Sequence, residues 1–230
     1  ELDPGKSDDA VWLGADSIIL ARFIKKYLKN KIHKQAIEIG SGTGIQIIAS
    51  SKFAKSCEAI DHNKRAVQYT KLNVVINKIQ NIQTYYSNMF ENVEGKFDLM
   101  LVNPWFIDLE KGGLEEVPFI MKGLEHYLSK DGLCLMLLNS YIKDGKDMAY
   151  NYLKNFIKST NYDLDLYAIG YNIETFRIKD YKKHGIDYYV SYYVVIKKNG
   201  NSIIKRYETS LLRKLRDFTF IKAYRIINRC

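Results

Sequence analysis

The stretch Ala36-Ile37-Glu38-Ile39-Gly40-Ser41-Gly42-Thr43-Gly44 decides how this chain folds. An apolar run with one acidic residue leads into three alternating glycines, and residues 45–49 form an apolar segment that can open a helix. Glycine is needed where a strand turns sharply into a helix and where the backbone must approach a ligand closely. The dinucleotide-binding pattern is G-x-G-x-x-G, whereas Ile45 occupies the place of its third glycine here. The stretch therefore predicts a strand, a ligand-binding loop and a helix, and it disfavours a dinucleotide as the ligand.

Two polar signals follow the glycine loop, each at the end of an apolar run that predicts a strand. Residues 56–61 end in Asp61, and a carboxylate at the end of the second strand can accept both hydroxyls of a ribose. Residues 97–102 run directly into Asn103-Pro104-Trp105-Phe106. The chain thus carries a glycine loop, an acid and an Asn-Pro-aromatic motif in that order.

In this order the three motifs resemble those of the class I S-adenosylmethionine-dependent methyltransferases. The glycine loop is similar to their motif I, and residues 103–106 resemble the Asn-Pro-Pro-Tyr or Asn-Pro-Pro-Phe motif of the amino-methyltransferases. That group includes the release-factor glutamine N-methyltransferases, the RNA and DNA base amino-methyltransferases, and proteins of the methyltransferase small domain type. The resemblance covers residues 9–197 and implies a Rossmann-like, doubly wound α/β fold. Its mostly parallel sheet is expected to have seven strands, including an antiparallel edge strand.

The resemblance implies S-adenosyl-L-methionine as the cofactor. Asp61 is expected to bind its ribose and Met89 to flank its adenine. Asn88 stands where relatives usually carry an aspartate that accepts from the adenine amino group, and its carbonyl oxygen can still accept but has no charge. The residues expected to line the cofactor pocket are Glu38, Gly40, Ser41, Gly42, Thr43, Gly44, Asp61, His62, Asn88, Met89 and Asn103.

The Asn-Pro-aromatic motif suits methyl transfer to a planar nitrogen, whose lone pair is delocalised. The Asn103 side-chain oxygen and the Pro104 carbonyl can each accept one N–H hydrogen bond, which orients the nitrogen and stabilises its developing positive charge. Phe106 can stack on the substrate and face the cationic methyl group. Trp105 replaces the second proline of the motif and is expected to contact the substrate with Phe106. Neither a metal ion nor a covalent nucleophile is required.

The remaining segments complete the predicted domain. Residues 16–29 have helical spacing of apolar side chains and open with Asp16 or Ser17 as the helix cap, and in the amino-methyltransferases this edge helps to close the cofactor pocket. The methyltransferase domain is expected over residues 1–200, and a basic helical extension over residues 201–230. Helices are also predicted at 118–128 and 148–157, and strands at 82–86, 133–138, 162–169 and 188–196.

The composition of the 230-residue chain is that of a globular protein, with 47% hydrophobic and 27% charged residues. The 3 cysteines have neither paired nor metal-ligand spacing, and Cys57 and Cys134 lie in apolar runs that predict buried thiols. The sequence has no apolar run of about 18 residues and no signal peptide, so we expect a cytoplasmic protein. It begins with Glu1, which indicates that it is cut from a longer chain. The net charge of +9 supports an anionic partner, although abundant Lys, Asn, Ile and Tyr also indicate a compositional bias.

The sequence therefore predicts an N-methyltransferase that acts on a translation-related macromolecule. Its acceptor is either a protein glutamine amide or an exocyclic amine of a nucleic-acid base. A small-molecule acceptor is an alternative because Trp105 alters the motif, and a non-catalytic cofactor-binding module is another because Asn88 also departs from it. A dehydrogenase is disfavoured by the glycine spacing.

Overall fold

The computed structural model describes Val11 and residues 13–104, 114–172 and 182–208. These residues form five α-helices and nine strands. The helices are α1 (Ala15–Tyr27), α2 (Ile45–Ser50), α3 (Lys64–Ile76), α4 (Val117–Tyr127) and α5 (Met148–Phe156). The strands are β1 (His33–Ile39), β2 (Ala54–Asp61), β3 (Ile82–Tyr86), β4 (Phe97–Val102), β5 (Leu128–Lys143), β6 (Lys146–Asp147), β7 (Tyr162–Asn172), β8 (Ile186–Lys198) and β9 (Ile204–Glu208).

The strands form a mixed sheet in the order β3-β2-β1-β4-β5-β8-β7-β9, and β6 pairs with β5. Strands β1 to β5 pair in parallel where they are neighbours, whereas β5 and β6 are antiparallel. The order reverses at β1, because β2 and β3 lie on one side of it and β4 and β5 on the other. A reversal of this kind opens a crevice at the carboxyl ends of the strands, where doubly wound proteins bind ligands. The predicted doubly wound α/β fold is confirmed.

Two compact units are distinguished by the contacts within the chain. The first contains the described residues up to Pro104, together with Glu116–Leu137 and Val195–Asn199. Its core includes Leu20, Ile37 and Leu99, which are fully buried. The second contains the described residues of Trp105–Glu115, with Leu138–Val194 and the chain from Gly200 onward, and its core includes Leu153, Leu164 and Tyr192.

The predicted count of seven strands is too low, because the described residues form nine. The two-residue strand β6 and strand β9 account for the difference. β9 lies at Ile204–Glu208, where a helical extension is predicted, and it pairs in parallel with β7. Alternating apolar and basic residues suit an edge strand as well as a helix over so few positions. The rest of the predicted extension, residues 209–230, lies outside the described part of the chain.

The predicted turn at Lys130-Asp131-Gly132 lies inside β5 rather than before it. The pairing of β4 with β5 shifts its register between Phe97 and Leu99, so residues after Leu128 form an irregularity in a longer strand. Asp131 has a φ of 62°, which a bulge accommodates. The sequence signal for a local reversal of φ is therefore correct, but the strand continues on both sides of it.

Burial and helix length agree with two further predictions from the sequence. Cys57 and Cys134 are buried free thiols, and burial raises the pKa of Cys57 to about 12. Such thiols are poor nucleophiles at neutral pH. Among the described helices, none has both the length and the apolar character that crossing a membrane would demand.

Candidate active site

The register of the parallel strands brings the predicted site residues to one edge of the sheet. Ile39, the last residue of β1, pairs with Ile60 of β2 and Val102 of β4. Asp61 in turn pairs with Tyr86, the last residue of β3. The segments that follow these four strand ends are 40–44, 62–63, 87–89 and 103–104, which contain nearly every residue predicted to bind the cofactor or the substrate nitrogen.

The glycine loop connects β1 to α2 through three residues of left-handed backbone. Gly40, Gly42 and Gly44 have φ values of 69°, 55° and 77°, a region that L side chains rarely adopt. A Cβ on Gly44 would lie 2.7 Å from Cγ2 of Thr70, whereas one on Gly40 would meet no heavy atom within 4 Å. Gly44 is therefore required by the protein's own packing. Gly40 leaves open space beside its backbone, which fits the close approach of a ligand.

Side chains of α3 hold the glycine loop in this shape. Thr70, which is fully buried, donates from Oγ1 to the Gly42 carbonyl at 3.1 Å and shares a hydrogen bond with Ser41 Oγ. Asn73 donates from Nδ2 to the Thr43 carbonyl at 2.9 Å. The sequence analysis missed this role of Thr70 and Asn73. A polar residue on the buried face of the helix after the second strand is the signal that could have identified them.

Glu38 lies beneath the loop rather than at its surface. Its side chain is 1% exposed, and Oε2 accepts a hydrogen bond from the Ile47 N–H of α2 at 3.0 Å. Burial raises the pKa of Glu38 well above its ordinary value, the Ile47 hydrogen bond opposes this shift, and the Asp61 charge adds to it. A carboxyl group so placed fixes the start of α2 against β1. A direct contact with the cofactor remains a prediction.

Asp61 connects the glycine loop to the end of β2. Its Oδ2 accepts from the Gly42 N–H at 2.9 Å, and its Oδ1 accepts from the Asn63 N–H at 2.8 Å. Each carboxylate oxygen can accept more than one hydrogen bond, so these contacts orient Asp61 and still allow it to receive ribose hydroxyls. The side chain of the adjacent His62 is 72% exposed, with Nδ1 3.7 Å from Asp61 Oδ1. It lies at the rim of the site.

The turn after β3 presents Asn88 and Met89. Ser87 is 1% exposed, and its Oγ donates to the Met89 carbonyl at 2.9 Å and accepts from the Asn92 N–H at 3.1 Å. Met89 is partly buried with a φ of 48°, and the exposed Asn88 donates from Nδ2 to Glu91 Oε1 at 2.9 Å. Because Nδ2 is engaged, an adenine amino group would be accepted by Asn88 Oδ1. Ser87, which shapes this turn, was not predicted.

Asn103 follows β4, and α1 holds its side chain in one orientation. Its Nδ2 donates to Asp16 Oδ2 at 3.0 Å and to Ser17 Oγ at 3.2 Å. Both hydrogens of the amide are thereby engaged, so the carbonyl Oδ1 is the edge of the amide that a substrate N–H would meet. Pro104, the next residue, is partly buried. The site thus contains the hydrogen-bond acceptor that the sequence predicts.

The predicted capping role of Asp16 or Ser17 is wrong. Gly14 is the N-cap of α1, and no side chain caps the helix. Asp16 and Ser17 lie in the first turn, where they accept from Asn103 instead. An acidic residue suits either place, because both put its charge near the positive end of the helix dipole. The prediction that this segment belongs to the edge of the site is consistent with these contacts.

Two predicted substrate residues, Trp105 and Phe106, lie outside the described residues. Their roles stay predictions. Within the described ranges, no group of His, Cys, Asp and Glu side chains has a geometry that could hold a metal ion. The described site is therefore built from a glycine loop, Asp61 and an oriented amide.

Comparison with known proteins identifies the family. The family model described as the methyltransferase small domain matches residues 15–164. A protein of Methanocaldococcus jannaschii, provisionally named protein N5-glutamine methyltransferase, is 35% identical over 142 residues that cover 54% of this chain and 70% of that protein. The ribosomal protein L11 methyltransferase of Thermoanaerobacter pseudethanolicus is 27% identical over 161 residues, which cover 69% of this chain but only 47% of that protein.

Solved structures share the fold at low sequence identity. The 16S rRNA methyltransferase RsmC of T. thermophilus, solved in complex with AdoMet and guanosine, has a TM-score of 0.58 at 12% identity. The match covers 83% of this chain and 45% of that one. The glycine loop, the strand order and the family match agree with one another. The chain belongs to the methyltransferase small domain family and is an S-adenosylmethionine-dependent methyltransferase.

Proposed function

We propose that this protein methylates a planar nitrogen of a macromolecule and that the nitrogen is the side-chain amide of a protein glutamine. The observation that carries the proposal is the orientation of Asn103, whose Nδ2 donates to both Asp16 and Ser17. An amide fixed in this way offers an acceptor and no donor to the substrate. Such a site favours a nucleophile that carries N–H groups.

The residues of the chain fit the cofactor that the family uses. Gly40 has open space beside its backbone, and Asp61 is oriented by the N–H groups of Gly42 and Asn63. We assign the glycine loop to the amino-acid end of S-adenosylmethionine, Asp61 to the ribose and the 87–89 turn to the adenine. When bound, S-adenosylmethionine supplies an electrophilic methyl group on a sulfonium that departs as a neutral thioether.

Asn103 and Pro104 then act on the nucleophile. The nitrogen forms a bond to the methyl carbon, the carbon–sulfur bond breaks, and the nitrogen must release one proton to restore its neutral amide. Asn103 Oδ1 and the Pro104 carbonyl accept its N–H groups, so they align the lone pair and stabilise the positive charge before the proton leaves. The Asp16 carboxylate, bonded to Asn103 Nδ2 at 3.0 Å, polarises the amide and strengthens Oδ1 as an acceptor.

The choice of a glutamine amide over a base amine is supported by the relative named protein N5-glutamine methyltransferase, of which the chain covers 70%. The exocyclic amine of a nucleic-acid base is the second candidate, supported by the net charge of +9. Both acceptors are planar nitrogens and both suit an enzyme of the cytoplasm that acts on the translation apparatus.

Labelled S-adenosylmethionine and extract from cells that lack the protein provide the test. Wild type, Asn103→Ala and the control Asn77→Ala would be compared, because Asn77 is an exposed asparagine in the same unit. Products would be divided by protease and by nuclease digestion. We expect protein-linked label with wild type and Asn77→Ala, and a loss of about 100-fold or more with Asn103→Ala.

Other outcomes separate the alternatives. Label that nuclease releases would replace the glutamine amide by a base amine. Label in the small-molecule fraction alone would contradict a macromolecular substrate. Bound cofactor without transfer to any fraction would indicate a non-catalytic binding module.

A further inference from the structure

The outer face of α3 exposes several large apolar side chains. Tyr69 is 40% exposed, Leu72 54%, Val75 66% and Ile76 64%. Tyr69, Leu72 and Ile76 follow one another at helical spacing and form a single stripe, with Val75 beside it. Tyr86, at the end of β3, is 44% exposed. We call these five residues the α3–β3 patch. Contiguous apolar surface of this kind marks an interaction site more often than scattered exposed residues do.

Strand β3 gives the patch a second property. It is the outermost strand at its end of the sheet, paired only with β2 among the described residues. An unpaired edge presents a row of backbone N–H and C=O groups that another strand can bind. Helix α3 packs next to β2 and β3, so the free backbone edge and the apolar stripe belong to the same region of the first unit.

The charge around the patch is of one sign. Residues 62–90, which include all of α3 and β3, contain Lys64, Arg65, Lys71 and Lys78 but no aspartate or glutamate. Lys64 lies 5.9 Å from the ring centre of Tyr86, and Arg65 lies 5.7 Å from that of Tyr69. A second copy of this surface would be repelled by like charges, whereas an acidic partner would be attracted.

We propose that a different protein, acidic at its contact surface, adds a strand to β3 and covers the α3–β3 patch with apolar side chains. Leu72, Val75 and Ile76 decide between a protein and a nucleic acid as the partner. Their aliphatic side chains, more than half exposed, gain little from phosphate or stacked bases but gain free energy when an apolar protein surface buries them. The four cations form a polar rim that selects an acidic partner.

Occupation of this surface reaches the cofactor pocket through short contacts. Tyr86 directly precedes Ser87, whose N–H donates to the Asp61 carbonyl at 3.1 Å. Asn88, assigned to the adenine, follows next in the chain. A partner that orders the end of β3 therefore orders the ribose and adenine residues. The complex is expected to bind S-adenosylmethionine more tightly than the chain alone.

The test begins with tagged full-length protein purified from its native cells after ribonuclease treatment. A protein that elutes with it in equal amount would be produced separately and used as the probe in calorimetry. The variants are Leu72→Glu combined with Ile76→Glu, and Phe119→Glu as the control, because Phe119 is 64% exposed on α4. Hydrogen exchange of wild type would be measured alone and with the probe.

We expect the paired substitution to weaken binding by about 100-fold, because it places charges in a desolvated apolar contact, and the control to change little. The backbone amides of Ile82–Tyr86 should exchange slowly only in the complex. The proposal is overturned if the chain elutes alone, if ribonuclease removes the partner, or if both variants bind the probe equally. Unchanged exchange in β3 would overturn the added strand. The result does not depend on the methyl acceptor, so it stands or falls separately from the proposed reaction.

Discussion

Asn103 shows how a single side chain is given a chemical role by its neighbours. An isolated carboxamide can present either its oxygen or its nitrogen, and only its surroundings decide between them. In this protein Asp16 and Ser17 accept from Nδ2, so the oxygen is presented. The sequence contains the residues of this arrangement but no sign of the contact, because positions 87 apart meet only in the folded chain.

Replacement of Asp16 by alanine should slow methyl transfer and leave cofactor binding unchanged. The change removes the charged partner of Asn103 Nδ2, and a hydrogen bond to a charged group contributes about 1.5–3 kcal/mol. We therefore expect a rate about 10- to 100-fold lower. Transfer of label and calorimetric titration of S-adenosylmethionine measure the two quantities.

The control for this prediction is the same substitution in an Asn103→Ala background. If Asp16 acts through Asn103, its replacement should have little further effect there. Equal losses in both backgrounds would show that Asp16 acts independently of Asn103.

Gly40→Ala should abolish tight cofactor binding at a modest cost in stability. Its φ is 69° and nothing lies within 4 Å of the added Cβ, so the backbone penalty is about 1–2 kcal/mol. The matched control is Gly95→Ala, which has a φ of 81° and equally open space. Denaturant unfolding should report similar losses for both variants. Cofactor titration should detect a loss only for Gly40→Ala, and equal affinities would argue against a ligand beside Gly40.

Glu38→Gln should make the protein more stable above neutral pH. Burial raises the pKa of Glu38 in the folded state well above the unfolded value of 4.5, so folding favours the protonated acid. Its contribution is fully present below 4.5 and is lost as the pH rises through the higher folded pKa. Glutamine stays neutral and can still accept from the Ile47 N–H. Unfolding free energies measured across this range should differ increasingly with pH, whereas the exposed control Glu94→Gln should follow wild type.

At the scale of elements, α1 connects the core to the chemistry. Its buried face includes Leu20, Ile24 and Leu28, each 0% exposed, although Leu28 lies just past its last turn. Leu20 lies one turn after Asp16, so its packing determines where the Asp16 carboxylate meets Asn103. The spacing of apolar residues predicts the helix and its buried face. Its cap is mispredicted because polar residues in a first turn have the same composition as a capping sequence.

Leu20→Ala should lower both stability and methyl transfer. Truncation of a fully buried leucine costs about 2–5 kcal/mol, and the cavity lets the first turn of α1 shift. Lys26→Ala, an exposed change near the end of the same helix, should affect neither quantity strongly. Thermal unfolding and label transfer provide the measurements. A destabilised variant with full transfer at low temperature would show that α1 need not be fixed for Asn103 to act.

At the scale of the whole molecule, the parallel half of the sheet was predictable because each strand there is a buried apolar run that ends in a functional motif. The glycine loop, Asp61 and Asn103 could be placed for the same reason. Strand β9 and the long β5 could not, because short alternating segments and a bulge give ambiguous local signals. The supports from Asp16, Thr70 and Asn73 depend on contacts between distant elements and leave no local pattern.

Identification of the methylated atom tests the central claim most directly. The labelled product made by wild type would be hydrolysed, and its modified residue would be identified by mass spectrometry and nuclear magnetic resonance. We predict a methyl group on a planar nitrogen, with N5-methylglutamine as the specific product, and its loss with Asn103→Ala. A methyl group on oxygen, carbon or sulfur would contradict the role assigned to Asn103 as the acceptor of a substrate N–H.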